Sequence, residues 1–176
     1  NQYLKKIQEN PRGFSISTVV PYYDGGLHPA NSTDYECAYA ACHIQRLNPS
    51  NILDIGSYRQ FILGMLAHFQ VTTIDVRDRK AISENEIVIT SDAKKLNLPD
   101  NEFDVVTSLC ALEHFGLGRY GDEFVLEADR KGFKEMVRVL KPNGRLIFTT
   151  TITRAQPSIV FNAHRIYSYE MLRTLC

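Results

Sequence analysis

The chain has 176 residues, the length of one domain that buries roughly two thirds of the surface its unfolded form exposes. Apolar residues make up 44% and charged residues 23%, which excludes an intrinsically disordered polar chain. Twenty basic residues balance twenty acidic ones. A net charge of zero argues against nucleic acid or an anionic membrane surface as partner, since that affinity comes from neutralised phosphates.

In chain order, residues 1–32 read as an irregular N-terminal strap, punctuated from Pro11 onward by Gly13, Pro21, Gly25, Gly26 and Pro29. Its Tyr22, Tyr23 and His28 are placed to pack on the domain or to close over a site. Residues 33–176 read as the domain itself. A helix is expected to begin at Thr33, because Thr33 and Glu36 have capping-box spacing. Tyr35, Ala38, Ala41, Cys42 and Leu47 form its expected buried face. Short apolar runs then alternate with amphipathic stretches. Strands are expected at 52–55, 71–76, 87–90, 103–109 and 145–151, with Pro142-Asn143-Gly144 turning the chain before the last. Helices are expected at 58–69, within 124–140 and at 168–175. The strands are apolar on both faces, the signature of a parallel sheet buried between helices. The expected class is α/β, a Rossmann-like doubly wound sheet.

Cys37, Cys42, Cys110 and Cys176 contain no Cys-x-x-Cys pair and no His at zinc-site spacing. They are too few for a disulfide framework. Reduced thiols serving as small apolar residues point to a cytoplasmic protein. Glu113, His114, Asp122 and His164 meet no ligand spacing, so no metal is expected.

In doubly wound sheets, ligands bind beyond the C-terminal strand ends. The loop after the first strand is Asp54-Ile55-Gly56-Ser57-Tyr58-Arg59. Gly56 lets a ligand approach the backbone. Asp75 ends the second strand 19 residues later, where a carboxylate accepts both hydroxyls of a ribose. The second and third glycines of a dinucleotide loop are absent, and Tyr58 stands where a pyrophosphate would lie. A nucleoside cofactor without phosphate therefore fits better than a nicotinamide dinucleotide.

These residues resemble the class I S-adenosylmethionine-dependent methyltransferases. Asn51-Ile-Leu-Asp-Ile-Gly-Ser57 resembles their first motif, and Asp75 matches the acid closing their second strand. Ser91-Asp92-Ala93 with Leu96, Leu98-Pro99 and Asn101-Glu-Phe-Asp-Val-Val106 resembles their third motif and fourth strand. Val137-x-Val-Leu-Lys-Pro-Asn-Gly-Arg-Leu146 resembles the entry to their fifth strand. The resemblance spans roughly residues 33–151. It departs at Tyr58, where many members have a second glycine. It implies S-adenosylmethionine as cofactor, with Asp54 and Gly56 beside the methionine part, Asp75 on the ribose, and Asp92 with Ala93 at the adenine. Leu109 and Cys110 would line the cofactor, and Ile55, Ser57 and Val76 complete the expected contacts. It also implies two further strands at the sheet edge. No strand six or seven is read after residue 168, so a truncated C-terminus is expected, or else an exposed fifth strand covered by a partner chain or by the N-terminal strap.

Leu112-Glu-His-Phe-Gly-Leu-Gly-Arg-Tyr-Gly-Asp122 resembles a subgroup of methyltransferase-like proteins with the same stretch. Its glycines allow a tight loop over the strand ends. His114 is the expected general base, with Glu113 as a second catalytic candidate, since an imidazole titrates near neutrality; the structural alternative is that Glu113 and His114 form a pair anchoring the loop. Arg119, Tyr120 and Asp122 are the expected substrate contacts, with local ion pairing and core cover as their structural alternatives. The expected activity is methyl transfer to oxygen or nitrogen of a small polar acceptor, sugar-type molecules included. The alternatives are a non-catalytic binding module of the same fold and a nicotinamide-dependent oxidoreductase.

Overall fold

The computed structural model describes residues 2–9, 15, 17, 18 and 29–175. The chain divides into two compact units, Asn1–Ala30 and Asn31–Cys176. In the first unit, α1 spans Gln2–Glu9. This corrects the irregular strap over those residues: Gln-Tyr-Leu-Lys-Lys-Ile-Gln-Glu holds no glycine or proline, and residues of good helix propensity predominate. Tyr22, Tyr23 and His28 lie outside the described residues, as does Cys176.

The second unit opens with α2, Ser32–Leu47. Its capping box is Asn31 with Asp34, not Thr33 with Glu36: Asn31 Oδ1 accepts from the Asp34 amide at 3.1 Å, and the Asp34 carboxylate accepts from the Asn31 amide at 2.9 Å. The helix is also turned relative to the expected face. Ala40 and Ile44 are buried with Cys37 and Ala41 beside them, while Tyr35, Cys42 and Leu47 face solvent.

Five parallel strands follow: β1 Ile52–Ile55, β2 Val71–Asp75, β3 Glu86–Thr90, β4 Phe103–Leu109 and β5 Leu140–Thr149. Helix α3 is Arg59–Met65, shorter than expected, and α4 is Ala128–Val139. The strand order is β3-β2-β1-β4-β5, so the order reverses between β1 and β4. In such sheets the crevice above that reversal binds ligands. One face buries Ile52, Val71, Val105 and Leu109 against α2 and α3. The other buries Leu53, Ile74 and Val106 against α4 through Phe133, Met136 and Val139. Alternate side chains thus enter opposite cores, which explains why the strands read as apolar throughout. β5 begins directly at the end of α4. The expected turn at 142–144 lies within it, as a register irregularity against β4 between Phe103 and Val105.

Three short strands follow β5, where none was expected: β6 Ile152–Thr153, β7 Ser158–Val160 and β8 His164–Ser168. They pair with one another in the order β6-β8-β7 rather than lengthening the main sheet, which ends at β5 among the described residues. Helix α5, Tyr169–Leu175, comes last. Among the described residues no helix is long and apolar enough to cross a membrane.

Candidate active site

A cavity opens at the C-terminal ends of β1, β2, β3 and β4. Of the expected cofactor residues, Ile55, Gly56, Asp75, Val76, Asp92, Ala93 and Cys110 line it. Asp54, Ser57 and Leu109 do not; they hold the glycine loop from behind. Asp54 Oδ2 accepts from the Ser57 amide at 3.2 Å, and Oδ1 accepts from the Thr107 hydroxyl at 2.8 Å. Ser57 Oγ accepts from the Leu109 amide at 2.9 Å. Gly56 sits at φ +72°, and a Cβ there would stand 3.0 Å from that of Ala111, so a side chain would be both strained and crowded. Tyr58 is not in the cavity wall. It packs beside the α2 core, which explains how the loop tolerates it in place of a second glycine.

Burial pushes the Asp54 carboxyl up to about 6; its bonds from Ser57 and Thr107 oppose the shift, and the charge of Arg79 opposes it least. Asp75 behaves oppositely. Burial raises it, but Arg77 outweighs that and holds it below the usual carboxylate range. Arg77 grips both oxygens: its amide and Nε donate to Oδ1 at 2.9 Å each, and a terminal nitrogen donates to Oδ2 at 2.8 Å. The same guanidinium lies 4.7 Å from the centre of the Tyr120 ring. Arg77 lines the cavity and was missed from the sequence, where its only signal is a cation two residues after a strand-end acid.

The Asp92 segment is fastened from α4. Glu135 accepts from the Leu96 amide at 2.7 Å, and Arg138 donates to the carbonyls of Leu96 and Leu98 at 3.0 and 2.8 Å. Asp92 itself accepts from the Lys94 amide at 2.9 Å.

After β4 a 3-10 turn, Leu112–His114, leads into the glycine-rich loop. Gly116 is at φ +67°, and a Cβ there would fall 2.4 Å from the Val125 carbonyl oxygen, so the loop closes on itself only with glycine. His114 lines the cavity, with Phe115, Tyr120 and Asp122. Asp122 accepts from the amides of Tyr120 and Gly118, which makes it a brace of the loop as well as a wall residue. Arg119 is exposed, does not line the cavity, and donates to the Ala163 carbonyl at 3.2 Å. Glu113 is 1% exposed and absent from the cavity wall; it accepts from the Thr150 hydroxyl at 3.0 Å, and burial raises its carboxyl.

His114 Nδ1 is 2.6 Å from the Ala163 carbonyl oxygen. A carbonyl only accepts and so calls for a proton on Nδ1, whereas an Arg119 guanidinium nitrogen, which only donates, lies 3.2 Å from the same Nδ1 and calls for none; the shorter contact favours the Nδ1–H form, with Nε2 basic. Burial lowers the imidazole below its usual value, and the Arg119, His164 and Arg165 charges add to that; the Ala163 bond opposes it. The shift favours the neutral ring near pH 7.

The family model described as "Methyltransferase domain" matches residues 53–148, more than half of the chain. The chain belongs to the class I S-adenosylmethionine-dependent methyltransferase family. Among curated relatives of this methyltransferase domain is the ubiquinone/menaquinone biosynthesis C-methyltransferase UbiE of Pseudomonas paraeruginosa. It is 33% identical over 93 residues, covering 53% of this chain and 32% of the relative. UbiE of Saccharophagus degradans is 34% identical over 94 residues, covering 53% and 33%. The chain thus spans about a third of the length of the curated relatives it matches. A solved structure of similar fold is the 1,6-didemethyltoxoflavin-N1-methyltransferase of Burkholderia thailandensis, with bound 1,6-didemethyltoxoflavin and S-adenosylhomocysteine. Its TM-score is 0.64 at 16% identity, over 81% of this chain and 64% of that one. YcgJ of Bacillus subtilis gives 0.62 at 19% identity, over 80% and 65%.

The family's cofactor carries a sulfonium, an ammonium and a ribose diol, and the methyltransferase domain's residues suit it. Gly56 leaves backbone exposed at the cavity floor. Asp54, fully buried and in no ion pair among the described residues, holds a carboxylate behind that floor whose cost a bound cation reduces. Asp75 offers two acceptor oxygens on condition that Arg77 shares or yields them.

Proposed function

We propose that this chain is a S-adenosylmethionine-dependent methyltransferase acting on oxygen or nitrogen of a small polar acceptor, with His114 as general base. The observation that supports the reading is the 2.6 Å contact of His114 Nδ1 with the Ala163 carbonyl at the cavity wall, which favours a ring with Nε2 basic. When bound, the cofactor supplies an electrophilic methyl group. The protein's own residues do the rest. Gly56 and Asp75 hold the donor end, and Asp92 with Ala93 forms the wall expected to meet the adenine. Nε2 of His114 takes the acceptor's proton, and the positive surroundings of the ring favour an acceptor that becomes anionic on losing it. Tyr120 and Asp122 line the acceptor side, with Arg119 beside them. Glu113 anchors the turn through Thr150 rather than touching the reacting atoms.

The relatives named as C-methyltransferases support a second reading. The same base, by ionising a ring hydroxyl, activates a neighbouring carbon. Product analysis separates the two. The reading is tested by incubating the protein with S-adenosylmethionine and a panel of phenols, amines and sugars. Release of S-adenosylhomocysteine that falls at least ~100-fold in His114→Ala, with cofactor affinity unchanged, supports it. Full turnover in that variant refutes the base. Cofactor binding with no acceptor turned over favours the non-catalytic module. Within the cell, a cytoplasmic enzyme without nucleic-acid or membrane partners fits its balanced charge, and self-association through the β5 end of the main sheet, which has no further strand among the described residues, is part of the proposal.

A further inference from the structure

Arg165 of β8 is a buried cation, 5% exposed, far in sequence from every motif. Its terminal nitrogens donate to three carbonyls of the loop after β4: Phe115 at 2.7 Å, Leu126 at 2.8 Å and, more weakly, Glu113 at 3.4 Å. Its Nε lies 3.6 Å from the Asp129 carboxylate, which also accepts from the Tyr167 hydroxyl at 3.0 Å. One guanidinium thus ties together both ends of the segment 113–126 and the first turn of α4. Two residues earlier, Ala163 supplies the carbonyl that holds His114 Nδ1.

Burying an arginine is costly unless its donors are satisfied. A fold pin alone would be served by an apolar contact between the small sheet and α4. Here the donors go to the backbone on either side of His114, and the same β7–β8 turn supplies the carbonyl 2.6 Å from that ring's Nδ1. We infer that Arg165 is a positioning residue: it locks the β7–β8 turn to the His114 loop so that Ala163 keeps His114 in the Nδ1–H form, with Nε2 free to take a proton. The inference rests on the reading of His114 as proton acceptor. It makes the stretch beyond β5 part of the site, although nothing in that stretch resembles a motif.

The groups facing His114 are Arg119 and Tyr120 of its own loop and His164 and Arg165 of β8, and the Arg77 guanidinium backs Tyr120. Arg165→Met removes both the fork and a charge; Arg165→Lys keeps the charge and loses the fork. The measurement is the nitrogen-15 shift of both His114 ring nitrogens across pH, made on the whole chain without cofactor. The wild type is expected to show one tautomer, with Nε2 unprotonated. In both variants the tautomer preference falls by about five- to tenfold, the share lost with one hydrogen bond. The titration midpoint rises in Arg165→Met and moves less in Arg165→Lys. A purely structural pin would lower the melting temperature and leave the surviving fold's His114 spectrum unchanged, and that result overturns the inference. If Arg165→Met does not fold, Arg165→Lys and Asp129→Asn are read in its place. Both keep the cation at position 165 and loosen the clamp, and an unchanged tautomer in both refutes it equally. Failure of His114→Ala to slow turnover would remove the base but not this geometry; an unchanged His114 spectrum removes the positioning role and leaves the base.

Discussion

Replacing Asp54 with Asn separates what this carboxylate contributes from what it costs. Folded, the Asp54 carboxyl titrates at about 6 instead of its ordinary 3.8, because burial disfavours the charge more than Ser57 and Thr107 stabilise it. The folded state therefore binds this proton more tightly than the unfolded state does. The stabilisation is fully present below about pH 4, is lost as pH rises to about 6, and stays absent above that. At about 1.4 kcal/mol per tenfold change in proton affinity, the loss is roughly 3 kcal/mol. Asn cannot ionise and escapes it. Its oxygen can accept from the Ser57 amide, and its NH2 can donate to the Thr107 hydroxyl while that hydroxyl donates instead to the Leu53 carbonyl, 3.4 Å away. Urea unfolding of both proteins at pH 4 and pH 7.5 reads the difference. Asp54→Asn should gain on the wild type by up to about 3 kcal/mol between the two pH values, whatever its constant offset, while other carboxylates cancel. Cofactor binding should weaken at the same time, since the buried negative charge is gone. A stability difference that is flat with pH, or that favours Asp at pH 7.5, refutes the reasoning.

The remaining predictions concern the walls of the cavity. Turnover should hold as pH falls past the ordinary histidine value and decline only below it, because burial and neighbouring cations lower His114; a pH–rate profile with its acid limb above 6.5 contradicts this. Gly116→Ala should cost on the order of 1–3 kcal/mol by thermal or urea unfolding, through a left-handed backbone and a Cβ forced against Val125, and an unchanged midpoint counts against the loop geometry. Arg138→Ala should speed hydrogen exchange at the Leu96 amide and its neighbours while leaving β1 protected, since it frees the Asp92 segment from α4. Arg77→Ala should tighten S-adenosylhomocysteine binding by up to about fivefold, the worth of one ion pair with a largely exposed cation on the acid needed for the ribose; weaker binding would show that Arg77 assists instead.

The main sheet was legible because burial on both faces writes an unbroken apolar run into each strand, and Phe103–Leu109 was read to the residue. The glycine loop and strand-end acid were legible for a related reason: backbone shape and ligand chemistry confine those positions to few residue types. The start of α2 was ambiguous locally, since Asn31 with Asp34 and Thr33 with Glu36 both satisfy a capping box. The choice is settled by long-range contacts: Glu36 accepts from the Cys110 thiol at 3.1 Å and the Thr149 hydroxyl at 3.3 Å, partners 74 and 113 residues away. Arg165 left no pattern at all, because its partners are mainly backbone carbonyls, which every residue supplies. Glu113 and His114 are neighbours in sequence, yet the turn sends one carboxylate to Thr150 and the other residue's ring to the cavity. Adjacency in sequence therefore suggested a pair that the turn divides.

Calorimetric titration of S-adenosylhomocysteine into the wild type and into Asp75→Ala tests the central claim most directly. One site per chain is predicted, with affinity in Asp75→Ala lower by about 10- to 100-fold, as expected for hydrogen bonds to a charged acceptor. Absence of S-adenosylhomocysteine binding alongside clear binding of a nicotinamide dinucleotide would contradict the account.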